Sequence, residues 1–314
     1  SDVYKRQPKR MRVTYTLTVD TNAVPAGKLV RCWLPYPRTD QSRQRDVKFI
    51  SASEPEYVLS PQECRHSTLY MEKRAVQGEP TVFSETFEYT SCGEWHNLRA
   101  EDVLPYDTTT ALYKEYTAER EKHIVFSPRL RELAAKLAAG ETNPYLKAKR
   151  IFRWINDHFP WASAREYSTI ENIPEYVLDN RHGDCGQVSL LFITLCRISG
   201  IPAHFQSGFM MHPRAWNLHD WAEVYFEGVG WVPVDQSFGI PAFARNADEE
   251  YFFLGGIDSW RMIVNTDYGM PLVPEKKYPR SETVDFQRGE VEWEGGNLYF
   301  PQWSYHMDID YLNY

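Results

Sequence analysis

A thiol nucleophile needs a base within hydrogen-bond reach, and that base needs a third group to orient it, so a cysteine, a histidine and a carboxylate are the types to look for. Cys185 stands out. It follows the turn-forming pair Gly183-Asp184 and heads the run "CGQVSLLFITLCRISGIP", which is otherwise almost wholly apolar. Cys196 lies inside that run, where a packing cysteine belongs, whereas Cys185 lies at its edge. A helix start there presents unpaired N–H groups and about half a positive charge, which favours thiolate over thiol and can later hold an oxyanion. A small buried residue at a helix end is the other reading of the position alone.

The base is sought among nine histidines. His219 opens the alternating run "HDWAEVYFE", which puts His219, Trp221, Glu223 and Tyr225 on one strand face and Asp220, Ala222, Val224 and Phe226 on the other. Asp235 closes the next run, "GWVPVD", after a turn carrying Gly228 and Gly230. A three-residue loop pairing Phe226 with Gly230 puts Asp235 diagonally across from His219 on the same face; a two-residue loop sends it to the opposite face. His182 is close to Cys185 but sits in the turn itself, and His204 and His212 read as structural. A zinc site of His182, Cys185 and His219 matches no common spacing, so no metal is expected.

Those residues need a scaffold of two kinds. From Met11 to Tyr89 short alternating runs such as "RVTYTLTVD", "KLVRCWLPYP" and "TVFSETFEYT" are separated by turn residues, which predicts a β-sandwich. The period then changes. Ser127 and Pro128 start a helix that Gly140 ends, Asn143 and Pro144 start a second, and the third runs from about Cys185 to Ser199 before Gly200. Strands follow at "AHFQSGFMM", "HDWAEVYFE" and "GWVPVD", and the C-terminal stretch reads as further strands and loops over the core. The boundary falls between about residues 105 and 125, giving an N-terminal β-sandwich over 1–110 and an α+β catalytic domain with a β extension over 111–314.

Composition narrows the classes. The chain has 314 residues, 42% of them hydrophobic, with 35 basic and 43 acidic residues and no basic stripe, so nucleic acid is not an expected partner. No stretch approaches the roughly 18 consecutive apolar residues of a membrane span, and the first residues lack the apolar core of an export signal. The chain opens on Ser1, so a signal already removed leaves the compartment open, as is the oligomeric state. Five cysteines without CxxC spacing argue against a disulfide framework and a zinc ribbon.

The ordered set "GDCGQ", "RISGIPAH" and "HDWAEVYFEGVGWVPVD" resembles the transglutaminase-like superfamily of papain-fold thiol enzymes, over about residues 147–239. The resemblance implies a papain-like core, a central helix on an antiparallel sheet, with Cys185 as nucleophile, His219 as base and acid, and Asp235 orienting His219. His204 stands where the family usually has arginine, and Gln236 where proline is common. In such enzymes an acyl thioester on the cysteine is cleaved by water or by an amine, so the expected activity is thiol-dependent hydrolysis of peptide or related amide bonds without a cofactor. Protein-glutamine acyl transfer and a non-catalytic binding scaffold are the alternatives. Tyr167 and Trp161 are candidates for the second oxyanion donor, and Gln187 and Trp221 for the cleft lining. The loop from Ser207 to Leu218 is a candidate cleft wall.

Overall fold

The computed structural model describes residues 7–163 and 165–313. Residues 9–91 carry six strands, β1 (Lys9–Val19), β2 (Leu29–Pro35), β3 (Gln44–Ala52), β4 (Val58–Leu59), β5 (Thr68–Arg74) and β6 (Thr81–Ser91). In β1 and β6 buried and half-buried positions alternate, as the sequence pattern predicts, because one face of each covers a core. The C-terminal strands β13 (Glu290–Trp293), β14 (Gly296–Leu298) and β15 (Trp303–Tyr311) join these sheets rather than the sheet behind the site. One sheet has the order β15-β1-β6-β3, the other β14-β13-β2-β5-β4, all pairs antiparallel. Grouped by sheet, the sandwich draws on both ends of the chain.

Between them lies the helical part. The predicted helices are α2 (Pro128–Leu137), whose N-cap Ser127 Oγ accepts the Leu130 N–H, α3 (Pro144–His158), capped by Asn143, and α5 (Cys185–Ile198). Two short helices, α1 (Ala111–Tyr116) and α4 (Ile173–Asn180), lie outside those the periodicity predicts. At six and eight residues each is too short to show a 3.6-residue repeat clearly, and is announced only by its cap, Thr110 or Asn172.

α5 is buried on almost every side, so its apolar residues pack against α2, α3 and α4 and against a four-stranded antiparallel sheet. The sheet order is β10 (Gly230–Val234), β9 (Asn217–Phe226), β8 (Ala203–Met210) and β12 (Arg261–Asn265). Ala203 and Phe205 face this helical core, while Phe209, Met211, Met262 and Val264 pack into the sandwich. The chain is therefore an α+β protein in which a helix-on-sheet core leans on a β-sandwich. Two further strands, β7 (Glu94–Trp95) and β11 (Gly256–Ile257), pair with each other. No described helix is long and apolar enough to cross a membrane.

Candidate active site

Cys185 is the first residue of α5, and the cap ahead of it is complete. Asp184 Oδ1 accepts the Gln187 N–H at 3.2 Å, and the Gln187 side-chain oxygen accepts the Asp184 N–H at 3.3 Å. The Tyr167 hydroxyl accepts the Gly186 N–H at 3.1 Å and donates to Asp184 Oδ1 at 2.5 Å. Of the first three N–H groups of α5, those of Gly186 and Gln187 are thus spent, and that of Cys185 has no partner among the described residues. Gly186 is required by close approach: a Cβ there would lie 2.5 Å from Tyr167 Oη and 2.6 Å from Asp220 Oδ2.

The thiol rests on a carboxylate. Cys185 Sγ–H donates to Asp220 Oδ2 at 3.4 Å, and no hydrogen bond joins the sulfur to His219. Burial, then Asp220 and Asp184, push the thiol well above its ordinary range, whereas the helix start was expected to lower it. Magnitudes explain the reversal. A helix terminus contributes about 0.3–1 kcal/mol, up to about 2 when partly buried. A carboxylate about 4 Å away at an effective dielectric constant of 20 contributes roughly 4 kcal/mol in the opposite sense.

His219 and Asp235 meet as the three-residue loop requires. Gly230 pairs with Phe226 and Val234 with Ala222, so Asp235, one residue further on, falls on the His219 face. His219 Nε2 and Asp235 Oδ2 are 2.8 Å apart, both side chains buried, which leaves Nδ1 of the ring for other partners. Asp235 also accepts from Arg261 at 2.6 Å and from the Phe238 N–H at 3.1 Å. Burial alone would raise this carboxyl; the His219 ring and the Arg261 guanidinium outweigh it and hold it below the usual carboxylate range. Arg261 is itself buried, pairs with Asp258 at 2.8 Å, and lies over the Trp221 and Phe238 rings. Nothing in the sequence singled out Arg261: its partners come from separate turns and strands.

A cleft of about 560 Å³ holds Cys185, His219, Tyr167, Trp161, Met210 and Leu218 on its walls. Trp161 stands at the rim, 63% exposed. Gln187 and Trp221 do not line it: Gln187 is fully buried in the cap, and the Trp221 indole N–H donates to Gln206 Oε1 at 2.6 Å. Of the Ser207–Leu218 segment, Met210, Asn217 and Leu218 reach the cleft, while Met211 packs into the sandwich core. Glu223, third polar member of the "HDWAE" run, has a different task. It pairs with His204 at 3.0 Å and Arg43 at 3.1 Å; burial would raise its carboxyl, but these partners pull it down to about 2. Because Arg43 belongs to the sandwich, this buried group ties the two layers together.

The residue next to the histidine is what the sequence reading passed over. Asp220 points inward among Ala222, Val224 and Phe226, and that break in an apolar face was the available signal. It contacts the thiol, the Tyr167 hydroxyl at 3.2 Å, the Gln287 amide at 2.9 Å, and the carboxyl of Asp285. Burial and Asp184 push it up to about 7, although the contact with Asp285 pulls the other way. Asp285 and Glu282, from the stretch between β12 and β13, also line the cleft and left no mark in the sequence. No group of three or more metal-ligating side chains occurs among the described residues.

Residues 131–236 match the model of the transglutaminase-like superfamily. A Haemophilus influenzae protein of uncharacterized function is 24% identical over 259 residues, 71% of this chain and 68% of its own length. A protein-glutamine gamma-glutamyltransferase of Pseudomonas aeruginosa is 23% identical over 125 residues, 36% of this chain and 19% of its own. The chain spans a similar fifth of a Bacillus subtilis relative, so its likeness to these two longer proteins is to one part of each. A solved structure from Cytophaga hutchinsonii, provisionally described as a cysteine protease, superposes with a TM-score of 0.60 at 15% identity, covering 98% of this chain and 92% of that one. At that identity the likeness is one of fold.

Proposed function

The core of this chain, residues 131–236, is transglutaminase-like, and from that premise we propose that the protein is a cysteine-dependent hydrolase of peptide or related amide bonds. The observation that carries the reading is the buried His219–Asp235 hydrogen bond opening onto the same cleft as Cys185, at the head of α5.

In the proposed cycle the Cys185 side chain turns away from Asp220 and hands its proton to His219 Nδ1, the nitrogen that Asp235 leaves unoccupied. The sulfur attacks the amide carbonyl carbon, and the oxygen's negative charge is met by the unspent Cys185 N–H. His219, now an imidazolium held by Asp235, gives its proton to the leaving nitrogen as the C–N bond breaks. Water, deprotonated by the same ring, then attacks the thioester and releases a carboxylic acid and the free thiol. Tyr167 spends its hydroxyl proton on Asp184, so among the two aromatic candidates Trp161 has the freer donor for the second oxyanion bond. Water rather than an amine is the favoured acceptor because the rim, with Trp161 and Glu166, is open to solvent.

The test is incubation of the chain with a peptide library and a labelled primary amine, read by mass spectrometry. Cleaved peptides are expected, abolished in Cys185→Ala and reduced at least about 100-fold in His219→Ala. Amine incorporation without cleavage would replace hydrolysis by acyl transfer; alkylation of Cys185 at neutral pH that is indifferent to His219→Ala would refute both.

A further inference from the structure

Five acids, Glu166, Asp184, Asp220, Glu282 and Asp285, line the cleft against two basic residues, Arg165 and Arg288. Neither base neutralises the interior. The Arg288 guanidinium stacks 3.6 Å from the Phe300 ring centroid and reaches Glu166 at 3.3 Å and Glu282 at 3.8 Å, towards the rim. Arg165 donates to the Thr169 carbonyl at 3.2 Å.

Asp285 has no ion-pair partner, and the Arg288 charge that draws its carboxyl down is outweighed by burial and by Asp220. Asp285 is 5% exposed and faces the cleft; its hydrogen-bond partner is the carboxyl of Asp220. Two buried carboxyls in contact hold a proton between them when nothing else is there: burial raises both, and at Asp285 the neighbouring Asp220 raises it further, while Asp220 is drawn down by the contact. A structural role would be served as well by an amide, which carries no such penalty. The proton occupies the place of a cation, and Asp220 Oδ2 is only 3.4 Å from the nucleophilic sulfur.

We propose that Asp285, Asp220 and Glu282 form a subsite for a substrate ammonium group immediately beside the scissile carbonyl. This rests on Cys185 being the nucleophile, and it names the substrate class: an amide whose attacked residue, or its direct neighbour, carries a primary amine. Binding that ammonium displaces the shared proton and completes the pairing that the free protein lacks. Because Asp220 Oδ2 lies 3.4 Å from the sulfur, selection acts close to the reacting atoms.

The experiment uses the whole chain and reads Cys185 modification site by site. Three thiol reagents of similar length differ in charge: 2-aminoethyl, propyl and 2-sulfonatoethyl methanethiosulfonate. The ammonium-to-sulfonate rate ratio at Cys185 is expected to exceed the ratio for 2-mercaptoethanol at least tenfold, and to fall at least threefold in Asp285→Asn and in Glu282→Gln. As a check that needs no variant, ethylammonium chloride slows modification by the neutral reagent, while sodium chloride at equal ionic strength does not. A ratio equal to that of 2-mercaptoethanol, or equal slowing by both salts, overturns the subsite. Failure of the nucleophile reading is separate: it shows as a neutral-reagent rate indifferent to His219→Ala, whatever the charge ratio.

Discussion

Replacing Gly186 by alanine sets one methyl group against the two side chains that crowd the head of α5. The new carbon would lie 2.5 Å from Tyr167 Oη, 2.7 Å from Tyr167 Cε2 and 2.6 Å from Asp220 Oδ2, about 1 Å inside ordinary contact. Neither neighbour is a flexible tip. Tyr167 is buried and bonded to Asp184, Asp220 and the Gly186 N–H, and Asp220 is held by the Gln287 amide. Overpacking of this kind costs about 1–3 kcal/mol, and each hydrogen bond of Tyr167 that is lost adds about 1 kcal/mol. Alanine's better helix propensity returns about 1 kcal/mol. With two of these bonds lost the net loss is about 2–4 kcal/mol, a fall in Tm of several degrees at roughly 2–4 °C per kcal/mol. Thermal unfolding followed by circular dichroism measures it, and the alkylation rate of Cys185 reports the displaced cap. Adding Tyr167→Phe should cost less in the Gly186→Ala background than in the parent, because the hydroxyl is already displaced. A variant with unchanged Tm and unchanged alkylation would show that Tyr167 and Asp220 do not pack on Gly186 as described.

Two further outcomes follow from buried charge. Arg261→Met leaves Asp235 and Asp258 inside the protein without their cation and is expected to cost about 3–5 kcal/mol in chemical denaturation; a loss under about 1 kcal/mol would mean that Arg261 does not hold Asp235. In the sandwich, Glu85 is buried with neither carboxyl oxygen bonded, and burial raises its pKa well above the ordinary value. Between its unfolded and folded pKa values the native state holds a proton that the unfolded chain has released, so stability falls by about 1.4 kcal/mol per pH unit as pH rises. Glu85→Met removes that slope: its gain in stability should be small at pH 4 and grow steadily from pH 5 to pH 7, and a gain independent of pH would refute a protonated Glu85.

What the sequence determined by itself is what depends on neighbours along the chain. Ser127 and Asn143 cap their helices from adjacent positions, alternation marks β1 and β6, and the β9–β10 runs left two loop lengths, of which the structure has the three-residue one that joins Asp235 to His219. Short-range hydrogen bonding and side-chain period decide the caps and the alternation, so these can be read before folding is known. Tertiary structure alone decided the rest. β15 pairs with β1 across almost the whole chain, Arg261 reaches Asp235 from the far edge of the sheet, and Asp285 comes from a loop to meet Asp220 beside the sulfur. It also reversed the local expectation for the thiol: the helix start is a property of the sequence around Cys185, but the burial and the carboxylates that outweigh it are assembled by distant segments, and electrostatic energy depends on distance in space.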